Sequence, residues 1–166
     1  EEPGSFLRFC ELLDNHSVTE FNYRYSPTGD AHIFVGIEIS SGDSEKQALI
    51  EKLRKSFEVL DMSDNSMAKT HIRYMVGGHA NAENEVIYRF EFPERPGALL
   101  NFLRKIKTKW NISLFHYRNH GSDTGRIMVG LQVPPKETND LNIFLKSLGY
   151  NYVNETTNTA YNLFLK

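Results

Sequence analysis

Hydrophobic and polar residues follow two different periods along this chain. From Phe6 to Leu13 apolar side chains recur every three to four residues, which predicts an amphipathic helix. From Val18 to Tyr25 the period changes to two, which predicts a strand whose odd- and even-numbered residues lie on opposite faces. Turn residues at 26–30 separate this strand from a second one at 32–39, so the two strands predict a hairpin.

The rest of the chain follows the same two periods. Ser and Asp residues after position 40 can cap a helix that ends near Phe57. Polar and small residues at 79–84 form a linker that leads into a strongly alternating strand. The remaining predicted elements are a short strand at 59–62, strands at 85–92, 112–119, 126–133 and 150–154, and helices at 68–75, 98–109, 139–148 and 160–164.

Two Pro-Gly pairs, Pro3-Gly4 and Pro96-Gly97, each precede a helical pattern. Proline presets its own φ and glycine tolerates the backbone angles of a tight turn, so each pair predicts a turn that begins a helix. The similarity then continues through most of both halves with one single-residue shift. The matched pairs include Leu7 with Leu100, Phe9 with Phe102, Phe21 with Phe115, Tyr23 with Tyr117, Arg24 with Arg118, Ile33 with Ile127, Val35 with Val129 and Gly36 with Gly130. This conserved order of matches indicates an internal duplication.

The second copy has the element order strand, helix, strand, strand, helix, strand. This βαββαβ order predicts an α+β fold of two ferredoxin-like modules, with antiparallel sheets and helices on one face. The first copy lacks the opening strand, because the sequence begins at its Pro-Gly turn. We therefore expect a first module at 1–78, a linker at 79–84 and a second module at 85–166, within a longer protein.

Composition argues against several classes of function. The 166 residues carry a formal charge of −2 without a basic stripe, which argues against nucleic acid as a partner, and no apolar run is long enough to span a bilayer. The single cysteine, Cys10, lies in the first helical pattern and suits a reducing, cytoplasmic compartment. Because no catalytic constellation or metal-ligand motif stands out, the sequence favours a binding or interaction module, and whether it is an enzyme stays open.

A free amino acid is one ligand for which the repeated residues are suited. The guanidinium groups of Arg24 and Arg118 can bind its carboxylate, as can backbone N–H groups at the helix starts beside Gly4 and Gly97. Aromatic and aliphatic side chains can form an apolar pocket, and the candidates are Tyr23, Tyr117, Leu99 and Leu103. The alternation of the tyrosines slightly favours core positions over a site, and the arginines fall on the opposite strand face from the tyrosines.

Several runs of sequence resemble the regulatory part of one enzyme family, biosynthetic threonine dehydratase. The runs 92–99 and 110–118 resemble its second regulatory module. The runs 3–6, 19–25 and 73–78 resemble its first module. Together the similar runs are distributed over essentially the whole chain.

This resemblance implies a function and a set of partners. The parent enzyme uses pyridoxal phosphate to convert L-threonine into 2-oxobutanoate and ammonia, and its catalytic domain lies upstream, so no cofactor is expected within this chain. The two ACT-like modules would bind isoleucine as inhibitor and valine as its antagonist, within a homotetramer. The resemblance assigns effector binding to Tyr23, Arg24, Tyr117 and Arg118, and the feedback response to the helix start with Leu99 and Leu103. An oligomerisation module without a ligand site is the alternative.

Overall fold

The computed structural model describes residues 4–14, 16–26, 31–66, 78–93, 97–106, 109–119, 121 and 123–166. Within them the elements are α1 (Ser5–Leu12), β1 (Val18–Arg24), β2 (Ile33–Ile37), α2 (Asp43–Arg54), β3 (Glu85–Pro93), α3 (Ala98–Ile106), β4 (Asn111–Arg118), β5 (Thr124–Gln132), a 3₁₀ turn (Pro135–Glu137), α4 (Thr138–Leu148), β6 (Asn151–Asn154) and α5 (Thr159–Phe164). The predicted helix at 68–75 lies outside the described residues. None of the described helices is both long and apolar enough to cross a membrane.

The described strands form one antiparallel sheet in the order β2-β1-β4-β5-β3-β6. Helices α1 to α4 cover one face of it, and their apolar side chains pack there against Phe21, Phe90, Phe115 and Val129. The short α5 lies on the opposite face, where Tyr161 packs against Ile87 and Leu114. The α+β class, the antiparallel pairing and the helix-covered face are confirmed. The strands of the two halves form one continuous sheet instead of two separate sheets.

The second half contains a complete ferredoxin-like module. Its strands lie in the order β4-β5-β3-β6, which places the opening strand β3 between the third and fourth strands of the module. This is the arrangement that the βαββαβ order produces when both helical crossovers are right-handed. Alternation in β3 directs Phe90 and Phe92 into the core, where each is at most 2% exposed.

The first half differs from the second because its described residues contain no equivalent of the opening strand β3. The strand predicted at 59–62 is wrong, because these residues have no ladder partner and are not in a strand. In the second half the corresponding strand, β6, pairs with the opening strand β3. Backbone groups at 59–62 therefore have no equivalent strand to bond among the described residues. For the same reason β2 is an edge strand with β1 as its ladder partner.

The two halves meet where equivalent strands pair. β1 and β4 run antiparallel with Phe21 opposite Tyr117 and Tyr23 opposite Phe115, so a local two-fold axis passes through the pair Asn22–His116. Equivalent hydrogen bonds close both ends of this ladder. The amide of Tyr25 donates to Ser113 O (2.7 Å), and that of Asn119 donates to Thr19 O (2.9 Å).

Both halves also contain the same irregularity. A bulge interrupts β1 between Val18 and Glu20, and another interrupts β4 between Ile112 and Leu114. The bulged residues, Thr19 and Ser113, direct their hydroxyl oxygens at the equivalent glycines, Gly36 and Gly130. A Cβ on the facing strand would lie within 2.7 Å of each hydroxyl, so a larger residue fits there only if the hydroxyl can move away.

Candidate functional site

The candidate site is the region where β1 pairs with β4 and where α1 and α3 begin. Gly4 and Gly97 both have left-handed backbone angles, with φ of 91° and 79°. Each accepts the first helical hydrogen bond, from Arg8 N (3.0 Å) and Asn101 N (2.9 Å). The N-cap residue of α1 is Gly4, so no N-cap side chain bonds the first N–H groups of this helix. Glycine is needed here because an L side chain would strain this backbone.

On the helix-covered face, four of the predicted residues are core residues. Tyr23 and Tyr117 are 3% and 2% exposed, and Leu99 and Leu103 are 8% and 3% exposed. Tyr23 packs edge-on against Phe6, with ring centroids 4.9 Å apart. The structure thus brings these side chains into one apolar layer between the helices and the sheet. They present almost no surface to a ligand unless a helix moves away from the sheet.

On the opposite face, Arg24 is buried. Its guanidinium forms two hydrogen bonds with the carboxylate of Glu85, at 2.5 and 3.1 Å, and both side chains are 4% exposed. It also donates to Gly78 O (3.1 Å), Ser113 O (3.4 Å) and Leu165 O. Arg24 therefore contacts β3, β4, the residue before the linker and the C-terminal segment at once, and its donors already have acceptors within the protein.

Tyr161 completes this cluster. Its hydroxyl donates to the second carboxylate oxygen of Glu85 at 2.5 Å. Burial raises the pKa of the Tyr161 phenol, and the hydrogen bond to the Glu85 carboxylate raises it further. The neutral phenol is thus the form that the cluster holds, because it must donate to an anion.

Arg118 occupies the equivalent position in the second half but has different neighbours. A row across four strands on this face contains, in order, Glu20, Arg118, Arg126 and Glu91. Arg126 lies 3.4 Å from Glu91 and is mostly exposed. The repeat equivalent of Glu20 is Leu114, which lies opposite Arg24. The two arginines are therefore equivalent in sequence but not in environment.

A cleft of about 520 Å³ lies beside the Arg24 cluster, between the linker and the C-terminal segment. Its described lining consists of His79, Ala80, Asn81, Ala82, Asn84, Glu85, Tyr161 and Lys166. The two alanines are its only aliphatic side chains among these residues. The described lining therefore offers little aliphatic surface against which a branched aliphatic side chain could pack.

Comparison with known proteins identifies the family. The model of the C-terminal regulatory domain of threonine dehydratase matches residues 1–72 and 76–165. This chain belongs to that family. The regulatory domain is 49% identical to a biosynthetic L-threonine dehydratase of Burkholderia multivorans over 99% of this chain and 33% of that protein. It is 49% identical to the biosynthetic L-threonine dehydratase of Escherichia coli, over 99% of this chain and 32% of that protein. It is 44% identical to the mitochondrial threonine dehydratase of Saccharomyces cerevisiae, over 99% of this chain and 30% of that protein.

The regulatory domain thus spans about a third of the length of the curated relatives that it matches. Sequence reasoning missed two residues of its Arg24 cluster, Glu85 and Tyr161. They are 61 and 137 positions from Arg24, and neither has a motif that points to it. The sequence offered one related signal. The alternation of β1 places Arg24 on the face opposite Tyr23, which indicates that Arg24 and Tyr23 have different neighbours.

Proposed function

We propose that this domain senses branched-chain amino acids for its parent enzyme, with isoleucine as inhibitor and valine as antagonist. The observation that carries the proposal is the pairing of two equivalent modules through β1 and β4, in a chain of the threonine dehydratase regulatory family. Because β1 and β4 pair about a local two-fold axis, each module presents the equivalent set of residues to this interface. An effector that prefers one packing of α1 and α3 on this sheet would shift the equilibrium between two states of the enzyme.

The reaction controlled would be the deamination of L-threonine to 2-oxobutanoate and ammonia. Pyridoxal phosphate would belong to an upstream catalytic domain, in an enzyme that is a homotetramer. The described residues do not fit the cofactor, since none of their lysines is buried and none lies in a closed pocket that could hold it as an aldehyde adduct. A cytoplasmic location stays a prediction.

The site that we propose for the effector is the apolar layer between α1, α3 and the β1–β4 pair. Its apolar part would be Leu99, Leu103, Tyr23 and Tyr117, and its carboxylate partners would be the helix starts at Gly4 and Gly97. Because these side chains are buried, binding must open the layer, which couples occupancy to helix position. Arg24 is enclosed by the protein in this state and Arg118 lies on the other face.

Calorimetric titration of the full-length enzyme tests this proposal. Isoleucine and valine should bind and compete, and isoleucine should inhibit turnover, whereas glycine, which lacks a side chain, should do neither. Tyr23→Phe and Tyr117→Phe form a matched pair that removes one hydroxyl from each module. Loss of a hydroxyl hydrogen bond, at about 0.5–1.5 kcal/mol, should weaken isoleucine binding up to about tenfold in at least one of them. No difference between isoleucine and glycine would contradict the proposal.

A second candidate function is assembly of the oligomer without a ligand site. The edge strand β6 favours it, because Tyr152 and Val153 are 38% and 47% exposed there. An exposed apolar edge can pair with another chain. Val153→Lys should then lower the oligomeric mass measured by light scattering while the response to isoleucine is absent in the parent enzyme.

A further inference from the structure

The C-terminal segment, residues 155–166, packs on the sheet face that α1 to α4 leave uncovered. Its amide at Glu155 donates to Ile87 O (2.8 Å), and Thr156 Oγ1 accepts from Ile87 N (2.9 Å). The ring of Tyr161 packs on Ile87 and Leu114. These contacts all lie within the second half, so by themselves they would attach the segment to its own module.

A smaller set of contacts connects this segment to the first half. Leu165 O accepts from Arg24 of β1, and Lys166 O bonds His79 Nδ1 of the linker at 2.6 Å. Arg24 is joined in turn to Tyr161 through Glu85, which accepts from both. The segment therefore reaches the first module through Arg24 and reaches the connection between the modules through His79.

From these contacts we propose that Arg24, Glu85 and Tyr161 form a clasp by which the C-terminal segment holds the two modules in one relative position. Arg24 is thus a positioning residue of the regulatory domain rather than a ligand of the effector. The inference rests on the proposed function only where it concerns regulation. The clasp itself is independent of any effector.

The chemistry of the three residues explains why this cluster acts as a unit. The planar guanidinium directs five donors in a fixed fork, and here they meet acceptors on four separate segments. A lysine keeps the charge but has three donors on one atom, so it cannot span Glu85, Gly78 and Leu165 together. The Glu85 carboxylate accepts hydrogen bonds from both Arg24 and Tyr161. Substituting Arg24 or Tyr161 therefore removes one of the two donors that fix the position of this carboxylate for the other.

Hydrogen exchange on the full-length enzyme, read by mass spectrometry, tests the clasp. We expect Arg24→Lys and Tyr161→Phe each to raise amide exchange at least tenfold at 161–166, where Leu165 N and Lys166 N both bond Tyr161 O. Both variants should also raise exchange at Gly78 and in the linker at 79–84, because Gly78 O accepts from Arg24 and His79 bonds Lys166 O. The matched controls are Arg118→Lys, the repeat equivalent, and Tyr152→Phe on the exposed edge strand, and neither should change exchange in these segments.

Two further measurements separate the clasp from other roles of Arg24. The double variant should show an effect smaller than the product of the two single effects, because both residues act through Glu85. Isoleucine affinity should change less than threefold in Arg24→Lys, while the degree of inhibition at saturating isoleucine changes. Unchanged exchange at 161–166 in Arg24→Lys, or independent effects of the two substitutions, would overturn the clasp. A loss of isoleucine affinity above tenfold with unchanged exchange would make Arg24 a ligand instead.

These outcomes also distinguish the clasp from the proposed function. If the parent enzyme does not respond to isoleucine at all, the proposed function fails. The exchange measured in Arg24→Lys and Tyr161→Phe would still test the clasp, because that measurement needs no effector.

Discussion

Gly130→Ala and Gly36→Ala are substitutions at equivalent positions of the duplication that should have very different effects. A Cβ at Gly130 would lie 2.7 Å from Ser113 Oγ, and 2.9 Å from both Ile87 Cδ1 and Leu114 Cβ. These three residues are at most 3% exposed, so none can move into solvent. Forcing a methyl group into such a site costs about 3 kcal/mol, at the upper end of the range for overpacking.

At Gly36 the same change meets a single close neighbour, Thr19 Oγ1 at 2.6 Å, and the next atom is 3.6 Å away. The residue is half-buried on the edge strand β2, where a rotation of Thr19 about χ1 can relieve the contact. Neither glycine has a positive φ, so alanine brings no backbone strain. The reduced freedom of the unfolded chain contributes about 0.4–1 kcal/mol in favour of alanine, which leaves Gly36→Ala within about 1 kcal/mol of the parent.

Urea denaturation of the parent and both variants measures these differences. At equal m-values the midpoint of Gly130→Ala should fall well below that of Gly36→Ala, and its Tm should fall by about 6–12 °C for a chain of this size. Adding Ser113→Ala to Gly130→Ala removes the closest contact and should restore part of the loss. Equal losses at the two glycines would refute the reasoning that the buried bulge at Ser113 requires glycine on the facing strand.

Three further predictions follow from buried groups. Burial raises the pKa of the Cys10 thiol from 9.0 to about 12. Iodoacetamide at pH 8 should therefore alkylate Cys10 about 10³-fold more slowly in the folded domain than in the domain unfolded in urea. Mass spectrometry follows the reaction, and equal rates would contradict the prediction. The raised pKa values of Tyr88 and Tyr161 mean that the unfolded chain loses these protons first, near pH 10. The contribution of these two phenols to the free energy of unfolding should therefore be steady below about pH 10 and decrease above it, whereas the contribution of the Cys10 thiol decreases from about pH 9. Tyr161→Phe should flatten that decrease in urea titrations at pH 9–11, and an unchanged slope would argue against it. Ser113 Oγ is buried without a hydrogen-bond partner. Ser113→Ala should therefore leave the free energy of unfolding unchanged or raise it by up to about 1 kcal/mol. A decrease of more than about 1 kcal/mol would mean that the hydroxyl makes a hydrogen bond in the folded protein.

Much of the fold could be predicted because it depends on local patterns. The period-two alternation of β1 separated Tyr23 from Arg24, and the structure places them on opposite faces of the sheet. The Pro-Gly turns and the matched residues of the two halves predicted α1 and α3 as equivalent helices, and both begin after a left-handed glycine. These features depend on residues a few positions apart, whose geometry is determined by backbone sterics.

The environment of each candidate residue could not be predicted in the same way. Arg24 and Arg118 are identical in motif, but one meets Glu85 from a strand 61 positions away and the other lies in a row with Glu20 and Arg126. The strand predicted at 59–62 failed for a related reason, since a strand exists only where a ladder partner is present.

The sequence by itself determined that this chain is a duplicated α+β regulatory domain, which local periodicity, two repeated turns and long family-specific runs were sufficient to establish. Only the tertiary structure decided that the two modules share one sheet through β1 and β4, that Tyr23 and Tyr117 are core residues, and that Arg24 is enclosed by Glu85 and the C-terminal segment. The physical reason is that hydrogen-bond ladders and buried ion pairs join residues far apart in the chain. Their partners are selected by the packing of the whole sheet rather than by neighbouring residues.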